Sequence, residues 1–209
     1  MTSRWAASDA ATPASILRCA LIAALHGAAL GLMFWSEVGV APKVAFCFTW
    51  GLLNFFWLAV LRRPAVAAAL SLVMIVVLIL LSWLKYEIIR MTANFLDVVI
   101  INSDTVGFLL AIKPDLEGKV LLALALVLPA LALLWWVDPF RVRLRTAATG
   151  FAACAAALLG MALAFPQEEW DAFAGDGYVS KFSRSGVAAM SELVTHGYME
   201  SDAAITDRL

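Results

Sequence analysis

The stretch NFLDVVIINSDTVGFLLAIKPD, Asn94 to Asp115, decides how this chain meets its solvent. It has the Ile, Val, Leu and Phe of a membrane helix, yet Asp97, Asp104 and an Asn-Ser-Asp step interrupt it. Drawn as one helix, it sets Asp97, Ile101, Asp104 and Phe108 on a single face, with two carboxylates about two turns apart. Placing either carboxylate in lipid costs about 2.5–3.5 kcal/mol on insertion scales. Two short helices escape that cost, as an interfacial or re-entrant hairpin in the outer leaflet over about residues 88–113. Asn102, Ser103 and Asp104 supply turn and N-cap chemistry, because their side chains accept the free amides of a new helix start. A second helix over 105–112 then ends at Lys113-Pro114-Asp115, with the lysine in the last turn and the proline as breaker.

The rest of the chain supports a membrane reading. Of 209 residues, 63% are hydrophobic and 15% charged, and the mean hydropathy is +0.88. Soluble domains sit nearer half apolar and a quarter charged. Five blocks reach the length of about 20 apolar residues that a spanning helix needs: 16–35, 44–61, 65–84, 119–137 and 147–165. The first ends in LMFWSE rather than in a small-residue cleavage site, and so reads as a retained signal anchor. LRRP, Leu61 to Pro64, is long enough only for a tight turn between the second and third spans. Pro129 falls inside the fourth, where a membrane helix accommodates it at the cost of a kink.

Basic residues near the span ends set the orientation. With the N-terminus inside, the cytoplasmic side collects Arg4, Arg18, Arg62, Arg63, Arg141, Arg143 and Arg145, against the acids Asp9 and Asp138. The outer side takes the lysines, Arg90, Arg184, Arg208 and the remaining acids. Trp35, Trp83, Trp135 and Trp136 lie at span ends, where indoles favour the headgroup level. The expected architecture is an all-α membrane protein with five transmembrane helices, the outer-leaflet hairpin and an amphipathic C-terminal tail helix. Residues 1–165 form the transmembrane module and 166–209 an extracytoplasmic tail. In the tail, Phe182, Val187, Met190 and Val194 approximate helical spacing and offer a face for a docking partner.

Candidate chemistry concentrates in the hairpin. Asp97, Asn102 and Asp104 suit the hydroxyls of a lipid headgroup, glycerol or sugar, and Arg90 and Lys113 suit a phosphate. Each has a plainer role as a helix cap or solvated charge. Cys19, Cys47 and Cys154 lie in apolar blocks with no ligand spacing, and no disulfide is expected. His26, inside the first span, reads as a packing or interhelical hydrogen-bonding residue, and His196 as a helix-end residue with no partner ligand. No basic stripe or nucleic-acid fingerprint is present. A pump or channel subunit predicts charged residues in mid-span, and Arg18, near a span end, is the nearest approach to one.

The succession of five spans, FLDVVIINSDTVGFLLAIKPDL between the third and fourth, RVRL after the fourth and the outward YVSKFSRSGVAAMSELVTHGYMESD resembles a known module. It is similar to the N-terminal membrane module of sulfatase-like phosphoglycerol transferases, the lipoteichoic-acid-synthase-like family. The resemblance rests on arrangement over nearly the whole chain rather than on a strict motif. It implies a bacterial cytoplasmic (inner) membrane protein of the cell envelope, N-terminus in and C-terminus out. The family's members transfer phosphoglycerol or related groups to extracytoplasmic glycans. Their catalytic domain, with its Thr nucleophile and divalent metal, has no counterpart in these residues, so no catalytic residue carries over and no cofactor is expected in this chain. The expectation is a membrane anchor and lipid-access module whose partners are membrane lipids and a sulfatase-like catalytic domain. A small polytopic scaffold or transporter subunit docking a periplasmic partner is the alternative.

Overall fold

The computed structural model describes residues 13–138, 140–165 and 175–196. The described residues form eight helices and no strands: α1 (Pro13–Ser36), α2 (Val40–Leu61), α3 (Pro64–Ile89), α4 (Phe95–Ile100), α5 (Ser103–Ile112), α6 (Asp115–Val137), α7 (Leu144–Ala164) and α8 (Tyr178–His196). Five of them, α1, α2, α3, α6 and α7, are long and apolar enough to cross a membrane. The expectations for Arg4, Asp9 and Arg208 and for the stretch 166–174 lie outside the described residues.

Why the spans pack as they do follows from small residues. α2 lies closest to α7 and α3, and α1 closes on α3. A Cβ added at Gly51 would stand 2.8 Å from Cys154 Sγ, so the α2–α7 approach depends on glycine there. Lipid tails are as apolar as leucine, so helices in a membrane associate through such close packing rather than by expelling water. The core follows suit: Ala29, Phe46, Ala68, Ile75 and Ile79 are buried together at the α1–α2–α3 junction. His26 joins α1 to α2, with Nδ1 2.9 Å from Ile22 O, Nε2 3.4 Å from Asn54 Nδ2, and its ring edge-on to Trp50. Cys19, Cys47 and Cys154 are all free.

The helices alternate in direction, which gives the bundle two distinct ends. At the lower end, the α2–α3 turn is tied to the α6–α7 connection. Arg63 donates to the carbonyls of Trp135 and Asp138, and its guanidinium lies 4.2 Å from the Trp135 ring centre. The buried Asp138 accepts from Ala65 N at 2.7 Å, capping α3 from a distant part of the chain. Val142 N donates to Arg62 O at 3.0 Å. At the upper end stand the α1–α2 turn, α4, α5 and the start of α8.

Element boundaries depart from the expected ones where polar side chains find partners. α3 runs to Ile89 rather than to 84, because Lys85 and Glu87 in its last turns are paired with Asp97 and Lys113. α6 begins at Asp115 rather than 119, and Asp115 and Glu117 in its first turn complement the exposed amide ends. The opening stretch is broken at Ile101 and Asn102 into α4 and α5. The second of these starts at Ser103, with Asn102 and not Asp104 as its N-cap.

Candidate functional site

The last turn of α3 is where chemistry-bearing side chains gather. Lys85 Nζ lies 2.6 and 2.8 Å from the two carboxylate oxygens of Asp97 on α4. Asp97 is held there by its own helix start: its N–H donates to Asn94 Oδ1 at 2.9 Å, and its carboxylate accepts from Asn94 N at 2.7 Å. This reciprocal capping box satisfies two amides that a six-residue helix would otherwise leave open. Two residues beyond Lys85, Glu87 accepts from Lys113 Nζ at 2.9 Å. Both partners are about 40% exposed (40% and 44%), and a pair so wet contributes about 0–1 kcal/mol.

Arg90 closes α3 in the left-handed region, φ 59°, with its N–H on Tyr86 O. Its guanidinium is exposed and sits 5.7 Å from the Tyr86 ring centre. Among the described residues no carboxylate forms an ion pair with it. Helices favour glycine at this position because a Cβ is strained there. Arg62 closes α2 in the same conformation at the other end of the bundle and is likewise exposed; an arginine so placed presents a fork of donors that suits an oxyanion.

Of the five hairpin residues singled out in the sequence, Arg90, Asp97 and Lys113 thus converge on the end of α3. Asn102 and Asp104 stand apart at the α4–α5 turn. Asn102 Oδ1 accepts from Thr105 N and Thr105 Oγ1, each at 2.9 Å, and Asp104 is exposed in the first turn of α5. Both helices turn apolar side chains outward: Val99, Ile100 and Phe108 are 54%, 67% and 60% exposed. Exposed apolar side chains grouped in this way mark a surface that meets another molecule.

Glu37 escaped the sequence reading. It is 1% exposed in the three-residue turn between α1 and α2, and it receives the start of α8. Val179 N and Ser180 N donate to Oε1 at 3.0 and 3.4 Å, and Ser180 Oγ donates to Oε2 at 2.6 Å. Gly177 N donates to Ser36 O at 2.9 Å, with Gly177 at φ 65°, a conformation that calls for glycine. Burial pushes the Glu37 carboxyl above its usual range; the Ser180 hydroxyl, the two amides and the charge of Lys181 offset part of that rise. The sequence signal was slight, a lone carboxylate in a short turn between two apolar blocks.

From this latch α8 runs across α2, α3, α4 and α7. Phe95 N donates to Ser185 Oγ at 2.9 Å, and Phe95 stacks edge-on against Phe182. Phe182, Val187, Met190 and Val194, the tail residues offered for docking, line a groove of about 890 Å³ against α2, α3, α4 and α7. Met190 and Val194 are also 52% and 80% exposed. Among the described residues no three His, Cys, Asp or Glu side chains are grouped to hold a metal ion. No family model, curated protein or solved structure matches this chain.

Proposed function

We propose that the chain is the membrane anchor and lipid-access module of a sulfatase-like phosphoglycerol transferase, or of a transferase of a related headgroup, working on extracytoplasmic glycans in the bacterial inner membrane. The observation that carries this reading is the cationic end of α3. Arg90 has no acidic partner among the described residues and Lys113 has a weak one, beside two short helices whose outward side chains are apolar. At headgroup depth this is an arrangement for a phosphodiester, with a guanidinium fork and an ammonium for the phosphate. α4 and α5 lie in the outer leaflet, and the arginine-rich lower end faces the cytoplasm. The catalytic partner, which supplies the nucleophile and the divalent metal, docks on the outer side of the membrane at the upper end of the bundle.

Lipid retention tests this. The full chain, in nanodiscs of mixed phosphatidylglycerol and phosphatidylcholine, is expected to retain phosphatidylglycerol preferentially on release into native mass spectrometry. Arg90→Gly removes the guanidinium and the left-handed strain together, so the variant keeps its stability while the preference falls by about tenfold, the scale of one charge-assisted contact. Equal retention of both lipids by the unmutated chain refutes the headgroup site.

A further inference from the structure

We infer that the groove beneath α8 is a binding site for one acyl chain of a membrane phospholipid; the inference rests on the lipid-access reading and adds to it where the tail goes. Position favours a lipid tail. The lining comes from mid-span residues of α2, α3 and α7, such as Leu53, Met74 and Leu158, and from the apolar face of α8. At about 1.5 Å per residue, Met74 lies roughly 22 Å below the upper end of α3 at Ile89. The groove therefore reaches far into a hydrocarbon layer about 30 Å thick.

The chemistry of the wall agrees. Four hydroxyls reach the lining, and each is turned to its own helix: Thr49 to Ala45 O at 2.8 Å, Ser183 to Ser180 O at 3.0 Å, Ser191 to Ala188 O at 2.8 Å and Thr195 to Ser191 O at 2.8 Å. Nothing in the wall asks for a polar partner, so water has no foothold. The groove, about 890 Å³ in volume, is open along one side and is filled by whatever surrounds the helices there. Left unfilled, its walls would forfeit dispersion contacts on one side. Hydrocarbon is the filler at hand, since Met74 and Val77 belong to the lining and are also 42% and 48% exposed, which opens the groove sideways into the bilayer.

Register then ties the groove to the cationic end of α3. The groove's upper end is at Leu81 and Phe95. Lys85 lies one turn beyond Leu81 on the same face of α3, and Arg90 follows at the helix end. A chain lying in the groove thus carries its glycerophosphate to the level of Lys85 and Arg90. Moving a tail from bilayer to groove brings no hydrophobic gain. Headgroup contacts set which lipid binds, and the groove sets where its tail is held.

The probe is phosphatidylglycerol with a diazirine near the middle of one acyl chain, in nanodiscs with the full-length chain, with labelled peptides read by mass spectrometry. Labels are expected on Leu52–Leu53 of α2 and on α8. Val77→Trp, which fills the groove, lowers them by about tenfold, and Val187→Trp does the same from the opposite wall. Leu128→Trp, on the exposed surface of α6, leaves them unchanged. Monodisperse elution and an unchanged thermal transition qualify each variant. Labelling of α6 as strong as that of the groove overturns the tail site, as do groove labels indifferent to both tryptophans or displaced only by a second copy of the chain. The same diazirine on phosphatidylcholine separates the two readings. Groove labels equal for both lipids uphold the tail site while the headgroup reading fails. No groove label from either lipid, with phosphatidylglycerol retention still dependent on Arg90, refutes the tail site alone.

Discussion

Truncating the buried carboxylate that holds α8 should release the start of that helix. Glu37→Ala removes the acceptor for Val179 N and Ser180 Oγ, with the longer Ser180 N hydrogen bond as a third. A buried donor left without a partner costs about 1–3 kcal/mol, and loss of an N-cap about 1 kcal/mol. Loss of the Val179 cap, with Ser180 Oγ keeping Gly177 O as an acceptor at 3.1 Å, gives a local destabilisation of about 2 kcal/mol, roughly thirtyfold in the opening equilibrium. Hydrogen–deuterium exchange of the α8 amides in nanodiscs reads this directly, against α3 amides as the unchanged reference. Glu37→Gln behaves differently. It keeps one acceptor oxygen and has no charge to desolvate, so its exchange should stay within a few-fold of the unmutated chain. The pH response has a definite sign. The carboxyl in the docked state has its affinity for protons raised above the ordinary value of 4.5, mainly by burial. Between 4.5 and that raised value the docked state therefore binds more protons than the released state. Docking of α8 is strongest below pH 4.5, weakens as pH rises through this window and levels off above it, and Glu37→Gln abolishes the dependence. Unchanged α8 exchange in Glu37→Ala refutes the latch, and tighter docking with rising pH refutes burial as the dominant cause.

Other outcomes follow from the packing and the two ends. Gly51→Ala places a methyl against Cys154 Sγ and should destabilise the α2–α7 pair by about 1–3 kcal/mol in detergent thermal unfolding. Cys154→Ala removes that sulfur, so the double variant should recover most of the loss; additive losses would show that the close approach is not the cause. Asp138→Ala uncaps α3 at Ala65 and should cost about 0.5–2 kcal/mol in the same assay; an unchanged transition counts against the cap. Cysteines at Val38 and Asp104, both exposed, should react with an impermeant thiol reagent on intact cells, and one at Phe140 should not. Labelling at position 140 alone would invert the orientation.

What could be read from the sequence is what a helix buries by composition. The five apolar runs stand out because charged residues within them are confined to their ends, and the break at Asn102 because its carboxamide meets an amide three residues on. Ends were harder. α3 continues past Trp83 only because Lys85 and Glu87 meet Asp97 and Lys113, and a spacing of 12 or 26 residues leaves no periodic trace. The tail shows the same limit from another side. The spacing of Phe182, Val187, Met190 and Val194 announces an apolar face but not what that face covers, and the fold turns it onto a groove of the same chain. Glu37 is the extreme case: its partners are 142 and 143 residues away, and by composition it is one more acid outside a span. Its turn carries the missing information. Within it Val38 faces outward and Glu37 faces the bundle, and a carboxylate buried on that side must find donors at the end of the bundle. The amides that open a further helix are the donors a membrane-embedded fold can bring there without introducing a second buried charge. The carboxylate thus calls for a helix start above it, and the groove below α8 follows from where that helix must then lie.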